Sequence, residues 1–430
     1  MFFLEALINM LNHPDKSKRL EALTELAQKI KKGMIAPPIK GSDVNNHIHT
    51  IYSFSPYSPT KAVWMAYMAG LTTAGIMDHD SISGAEEFIK AGEIIGLATT
   101  IGVECRVDVS KTALSGRKIN NPDQESVAYV AIHGIPHTQI GKVMEFFKHY
   151  SVQRNIRNRK MTTRLNELLN PYGILLDFDT DIVPLSMTDE GGSITERHIL
   201  FAVSKKMIDK IGKGRAIVDF LTLILKINLS DNIVALLCNQ KNPYYEYDLL
   251  GALKSDMVSS FYIPAIGECP DINDIVSLSK DIGGIMAYPY LGDVSNSVTG
   301  DKKAQKFEDD YLDLLFETLN VLGFHAITYM PSRNTMEQLK HIRMYCDQYG
   351  FFQISGDDIN SPRQSFVCVA QRATEFKNLI DATWALIGHE KAATIDLKNA
   401  FFSRETIQKL PNLNERIQVY KKIGKRELNL

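Results

Sequence analysis

The sequence is poor in the features that mark specialised classes. Its five cysteines (Cys105, Cys238, Cys269, Cys346 and Cys368) stand far apart, with no Cys-x-x-Cys pair and no even-numbered set. That argues against a disulfide framework and fits reduced thiols in a cytoplasmic protein. No apolar run reaches the ~18 residues a membrane-spanning helix needs. The run at 1–11 is apolar, but it holds Glu5 and Asn9, has no basic start and lacks a small-residue cleavage site. It reads as a helix face and not as a signal peptide. Net charge is also nearly absent. With 48 Lys and Arg against 50 Asp and Glu, the balance of -2 excludes a globally basic nucleic-acid binder and leaves only local patches. Repeats and low-complexity tracts are missing. What remains is an ordinary globular composition, 44% apolar and 23% charged, over 430 residues. That is enough for one large domain, or for one core with a substantial insertion.

Periodicity organises the chain. Residues 1–40 read as a helical prefix packed on the outside of the main domain. Leu20, Leu23, Leu26, Ala27 and Ile30 recur at helical spacing, Pro14-Asp15 breaks the run before them, and Gly33 with Pro37-Pro38 ends it. Over 41–139, strands near 44–49, 73–78, 99–103 and 127–132 alternate with helices near 59–69 and 83–95. This is the rhythm of parallel βα units. It stops over 140–265, where helices are expected at 140–169, 195–208, 215–228 and 245–258, forming a helical insertion or cap. The cap is rich in basic residues: Lys142, Lys148, Arg154, Arg157, Arg159, Lys160 and Arg164, then Lys205, Lys206, Lys210, Lys213 and Arg215. A charge run is ordinarily a solvated face, but this density points to anion binding. The βα rhythm returns over 266–369, with strands at 284–288, 325–328 and 352–355 and helices at 303–319 and 334–349. Residues 370–430 read as a C-terminal helical extension with a basic tail at Lys421, Lys422, Lys425 and Arg426.

What the sequence does carry, at the ends of its strands, is metal-type side chains. His47 and His49 lie at i and i+2, so on a strand both rings point to one side and can reach one ion. Asp78-His79, Glu104, His133 and Asp358 follow at later strand ends. A βα barrel collects such ends on one face. Imidazole with carboxylate suits Zn, Mn or Fe, and carboxylates can bridge two ions. Two ions about 3.5–4 Å apart can clamp a phosphoester and generate hydroxide from bound water at neutral pH. Spacing to Asn360 favours Asp358 over Asp357, and Asp78 is read as orienting His79 or a ligand. His137 reads as a loop histidine, and His13, His149, His325, His341 and His389 as structural or surface groups.

The ordered series is His-x-His at 47 and 49, Asp-His at 78–79, Gly-Val-Glu at 102–104, His-Gly at 133–134, Arg-His at 197–198 and Gly-Asp-Asp-x-Asn at 356–360. It resembles the PHP (polymerase and histidinol phosphatase) superfamily. The stretch RNRKMTTRLNELLNPYGILLDFD followed by GGSITERHILFAV is most similar to the class that hydrolyses nucleoside 3′,5′-bisphosphates and RNA 5′ ends. The resemblance implies an α/β fold, a distorted seven-stranded βα barrel. It implies a metal-dependent phosphoesterase using metal-activated hydroxide on a phosphorylated nucleotide or nucleic-acid 5′ end. Two divalent ions (Mn, Zn or Fe) are implied, with no membrane partner. By position, His47 and His49 would bind the first ion with Asp358, Glu104 would bridge, and His133 and His198 would hold the second. Arg197, matching phosphate with two parallel hydrogen bonds, and His79 would serve the chemistry.

The chain departs from the family at Phe54 and Ser55, where an acidic residue or histidine is usual, and at Asn360, where a histidine is usual. A third metal site is therefore expected to be weakened or empty. Asn46 replaces an aspartate, and Tyr288 stands within Ala287-Tyr288-Pro289 where Ala-His-Pro is typical. Tyr288 is expected either to hydrogen-bond a phosphate or to pack. Two alternatives stay open. One is a phosphatase for a small monoester such as histidinol phosphate; the other is a degenerate PHP domain kept for binding or scaffolding.

Overall fold

The computed structural model describes residues 2–121, 123–294 and 306–426. In chain order come α1 (Phe2–Met10), α2 (Lys16–Lys31), β1 (Val44–Ile48), α3 (Pro59–Met68), β2 (Thr73–His79), α4 (Ala85–Ile95), β3 (Ala98–Asp108) and β4 (Val127–His133). Then follow α5 (Ile140–Leu169), α6 (Glu196–Ile211), α7 (Arg215–Asp219), α8 (Asp231–Cys238), α9 (Tyr245–Phe261), α10 (Ile272–Asp281) and β5 (Ile285–Pro289). The chain continues through α11 (Leu312–Leu322), β6 (Ala326–Tyr329), α12 (Met336–Tyr349) and β7 (Phe352–Ser355) to α13 (Lys377–Ile395), α14 (Arg404–Lys409) and α15 (Leu413–Lys425). The local signals act as their chemistry dictates. Ser58 caps α3 by accepting from Lys61 N–H with Pro59 behind it, and Asp15 caps α2 through Ser17 N–H.

The seven strands form one sheet in sequential order, nearly closed into a barrel. The expectation of parallel units holds for β1–β2–β3 and β5–β6–β7, but β4 runs antiparallel to both β3 and β5. The cause is the connection. A parallel return needs a crossover, usually a helix, and the described residues of 109–126 contain none. Closure comes from the segment after β7: His49 N–H donates to Ile359 O (2.9 Å) and Ile359 N–H to His47 O (3.0 Å). Side-chain amides extend this seam. Asn46 Nδ2 donates to Ser355 O at 2.7 Å and Asn45 Nδ2 to Asp357 O at 3.0 Å.

Register sorts the faces. His79, Glu104, Ala131, Ala287, Ala326 and Phe352 align across the strands and share the inner face. Ile76, Val103, Ile132, Met286 and Ile327 point the other way, into the apolar layer under the helices. The inner face is covered by α13, whose Ala382, Ala385 and Leu386 pack on Ile285, Ala287, Ala326, Phe352 and Ile354. This helix is buried on every side from Ala382 to Glu390, which marks a core helix. The C-terminal helical region thus contributes α13 to the barrel core. The prefix is also tied inward: the Arg19 guanidinium, fully buried, makes a bidentate pair with Glu87 (2.9 and 2.5 Å).

Helices α5–α9 surround a second apolar cluster that includes Met161, Leu165, Ile199, Val203, Leu249 and Leu253. Two helical stretches differ from expectation. The one at 215–228 is short, passing from α7 into a wider turn at Phe220–Ile224. The one at 303–319 begins only at Leu312, and 303–305 lie outside the described residues. Among the described residues no helix is long and apolar enough to cross a membrane.

Candidate metal centre

The end of β1 and the residue after it place His47 and His49 on the inner face, their ring centroids 5.0 Å apart. Opposite them stands Glu104 on β3. Its Oε2 is 3.5 Å from His47 Nε2 and 4.0 Å from His49 Nε2. One ligand atom from each of the three lies within 4.8 Å of the others. Both Nε2 atoms are buried without a hydrogen-bond partner, so the approaches to Glu104 are close contacts and not hydrogen bonds. Asp358, on the closing segment, brings Oδ1 to 3.1 Å from His49 Nε2. His79 lies alongside, with Nδ1 3.1 Å from Glu104 Oε2 and its ring 4.6 Å from that of His49.

The tautomer of His49 follows from its neighbours. Ser53 Oγ–H donates to Asp78 Oδ1 at 2.6 Å, so Ser53 accepts from His49 Nδ1–H at 3.1 Å. The lone pair is left on Nε2, which faces the site. Asp78 also accepts from Thr50 N–H (2.7 Å) and Thr50 Oγ1 (2.6 Å). It therefore orients His49 through Ser53, as outer carboxylates hold ligating imidazoles. Two buried imidazole nitrogens without hydrogen-bond partners, one carboxylate between them and a second beside them fit a divalent transition metal.

The electrostatics agree. Burial opposes ionisation of Glu104, but the charges of His47, His79 and His49 outweigh it and hold its carboxyl down at about 2. Burial lowers His47, yet Glu104, Asp358 and Asp357 overcome it and raise its pKa. His79 and His133 are pushed down to about 3, in both cases chiefly by burial, and so are neutral near pH 7. Asp358 lies well below the usual carboxylate range because His49, His47 and Arg197 outweigh its desolvation.

The remaining sequence-derived residues divide. His133 pairs with Gly102, one step along the inner face from Glu104, because β4 is antiparallel. Its Nε2 is 3.3 Å from Thr328 Oγ1, and it feels the charges of His47 and Glu104. Arg197 donates to Asn360 Oδ1 at 2.7 Å, and Asn360 Nδ2 donates to Asp358 Oδ1 at 2.6 Å. His198 does not join the group. Its Nδ1 accepts from Thr195 N–H at 3.0 Å, capping α6, and its ring meets Phe54 edge-on at 5.0 Å. A neutral ring accepting at Nδ1 carries its proton on Nε2 and offers no lone pair there. Thr195 three residues before His198 has the spacing of a capping box, with imidazole in the place of the usual Glu or Gln. Phe54 is built into the cap cluster with Phe201 and Tyr247 (5.7 and 6.1 Å). Tyr288 is buried in the apolar layer and donates to Glu308 at 3.2 Å, the packing outcome.

Seven of the twelve cap cations named above pair with carboxylates, Lys148 with Glu145 at 3.7 Å and six more. Arg154 meets Asp80 (2.6 Å), Arg157 Glu196 (2.8 Å), Arg159 Asp179 (2.6 Å), Lys206 Asp181 (2.9 Å), Lys213 Glu246 (3.4 Å) and Arg215 Asp219 (2.8 Å). Sequence reasoning did not find Thr50, Ser53 and Asp80. Their only signal was polar density just after His-x-His and Asp-His. Asp80 takes a left-handed backbone (φ 51°) and donates its N–H to Glu104 O at 2.8 Å, fixing the turn beside His79.

No protein-family profile and no curated protein matches the sequence. Solved structures do. One is a provisionally named metal-dependent phosphoesterase from Bifidobacterium adolescentis, 18% identical over 77% of this chain and 94% of that one, with a TM-score of 0.50. Another is an amidohydrolase from Chromobacterium violaceum with bound sulfate and no metal, 16% identical over 76% of this chain and 90% of that one, TM-score 0.48. At such identities the first likeness is one of fold, and the chain shares its barrel with a protein named as a metal-dependent phosphoesterase.

Proposed function

We propose that the chain is a metal-dependent phosphoesterase of the PHP type acting on a phosphorylated nucleotide. The observation that carries this reading is the pair of buried, partnerless Nε2 atoms of His47 and His49 on either side of Glu104. The ordered motif series and the shared barrel support it. His47, His49 and Asp358 would hold one divalent ion, with Glu104 shared toward a second held by His133. Bound there, Mn, Zn or Fe supplies Lewis acidity and a water that ionises near neutral pH. The protein's own part is orientation. The Asp78–Ser53 relay keeps the His49 lone pair aimed inward, and His79 stays neutral against Glu104. Arg197 has donors beyond the one given to Asn360 and would take a phosphate oxygen.

A smaller phosphomonoester is the second reading, favoured by the inward pairing of Arg154 and Arg157, which removes two of the cap's cations from any polynucleotide track. Phosphate release from a nucleoside 3′,5′-bisphosphate, a dinucleotide and small sugar or amino-alcohol phosphates, each with Mn²⁺ or Zn²⁺, separates the two. Glu104→Ala is expected to abolish turnover; equal turnover by wild type and this variant would sink the mechanism.

A further inference from the structure

One amide joins the cap to the metal centre. Arg197, the second residue of α6, donates from Nη1 to Asn360 Oδ1 at 2.7 Å. Asn360 Nδ2 donates in turn to Asp358 Oδ1 at 2.6 Å. That same oxygen lies 3.1 Å from His49 Nε2. Chemistry fixes the direction of this chain. A guanidinium only donates, so the amide oxygen must face it and the amide NH₂ must face the carboxylate. The loop itself restricts the amide further. Asn360 is 6% exposed. Its N–H donates to Gln364 Oε1 at 2.8 Å, and Gln364 Nε2 returns to Asp358 O at 2.8 Å. Asparagine suits the position better than its neighbours in chemistry. Aspartate would set a second negative charge against Asp358, and alanine would leave both Arg197 and Asp358 without this partner.

We propose that Asn360 is a positioning residue that passes the placement of Arg197 in the cap on to Asp358 in the metal centre, so that cap docking and divalent-metal affinity are coupled. The inference rests on the metal-centre reading above. Its particular consequence is that Arg197, which touches no ligand of the triad, controls metal affinity through Asn360. Carboxylates that ligate metals depend on such outer hydrogen bonds, and their loss typically weakens binding about 10–100-fold.

The test is calorimetric titration of the full-length apoprotein with Mn²⁺, alongside its melting temperature without metal. Arg197→Met, which has no donor, and Asn360→Ala are each expected to weaken Mn²⁺ binding about 10–100-fold, with the apoprotein melting temperature little changed. The double variant should be no weaker than the worse single one, because both act through one chain. Arg197→Lys, which keeps a donor for Asn360 Oδ1, should recover most of the affinity. If Asn360→Ala fails to fold, Asn360→Asp takes its place, keeping the size and the Arg197 contact but losing the donor to Asp358. Unchanged Mn²⁺ affinity in the single variants, or losses that multiply in the double, would overturn the coupling while leaving the metal centre standing. A wild type that takes up no divalent metal overturns the metal-centre reading and this inference with it.

Discussion

At the scale of single residues, the centre depends on who holds the proton. Ser53 gives its hydroxyl hydrogen to Asp78, which leaves it able only to accept from His49, and that turns the His49 lone pair toward Glu104. Asp78 accepts three donors at 2.6–2.7 Å. An asparagine offers one acceptor oxygen in place of two and would leave at least one donor poorly served. Asp78→Asn is therefore expected to weaken divalent-metal affinity about 10–100-fold, read by calorimetry, although Asp78 touches no metal itself. The pair His47 and His49, and Glu104, were legible in the sequence because strand periodicity and residue type suffice to name them. His198 was not, because an imidazole in the first turn of a helix can either ligate or cap, and only the Thr195 contact decides. Phe54 was read as a missing ligand; the structure gives it a positive task, closing the cap's apolar cluster.

At the scale of elements, α13 and α15 carry the least expected packing. A Cβ at Gly388 would lie 1.9 Å from Tyr420 O, and one at Gly424 would lie 2.1 Å from Trp384 O, so the two helices touch backbone to backbone. Gly388→Ala is expected to destabilise by at least about 1–3 kcal/mol, since backbone, not a flexible side chain, would have to move; denaturant titration reads it. The same helix reaches the barrel through Glu390, which accepts from Thr100 Oγ1 (2.7 Å) and Ile101 N–H (2.9 Å) and pairs with His137 (2.8 Å). Burial lowers the His137 pKa, but the Glu390 hydrogen bond and charge outweigh it and raise it above 6.5. The folded protein then binds this proton more tightly than the unfolded chain. The pair's stabilisation is complete below the ordinary value and is lost as pH rises above it. The gap in melting temperature between wild type and Glu390→Gln should accordingly shrink from about pH 6 to about pH 8; a constant gap would contradict it.

At the scale of the molecule, barrel and helical insertion are joined by a buried charge network. Arg106 from β3 meets Glu196 (3.2 Å) and Glu268, Arg157 meets both acids (2.8 and 3.3 Å), and Arg154 lies 3.5 Å from Glu268 and 2.6 Å from Asp80. Three arginines and three carboxylates balance, so the cap docks on the site's rim without leaving a net charge in the interior. Breaking such a set is costly because the stranded charge stays buried. Glu268→Ala is expected to cost about 3–5 kcal/mol, whereas removing the exposed Lys90–Glu93 pair should cost under about 1 kcal/mol. Comparing urea midpoints of the two variants checks the contrast. Arg154 and Arg157 had been counted with the cap's anion-binding residues. Helical spacing cannot tell a cation facing solvent from one facing Glu268, and here the tertiary fold turned them inward.

Sequence by itself determined the seven strands, the long α5 helix, the histidine pair and the glutamate opposite it. Each depends on periodicity or on residue chemistry within one or two turns of chain. Only the tertiary structure decided that β4 runs backwards, that α13 fills the barrel's inner face, that His198 caps a helix, and that Asn360 ties Arg197 to Asp358. Those outcomes join residues as far apart as 197 and 360. Which distant groups meet is set by the packing of the whole chain, and no local pattern encodes it.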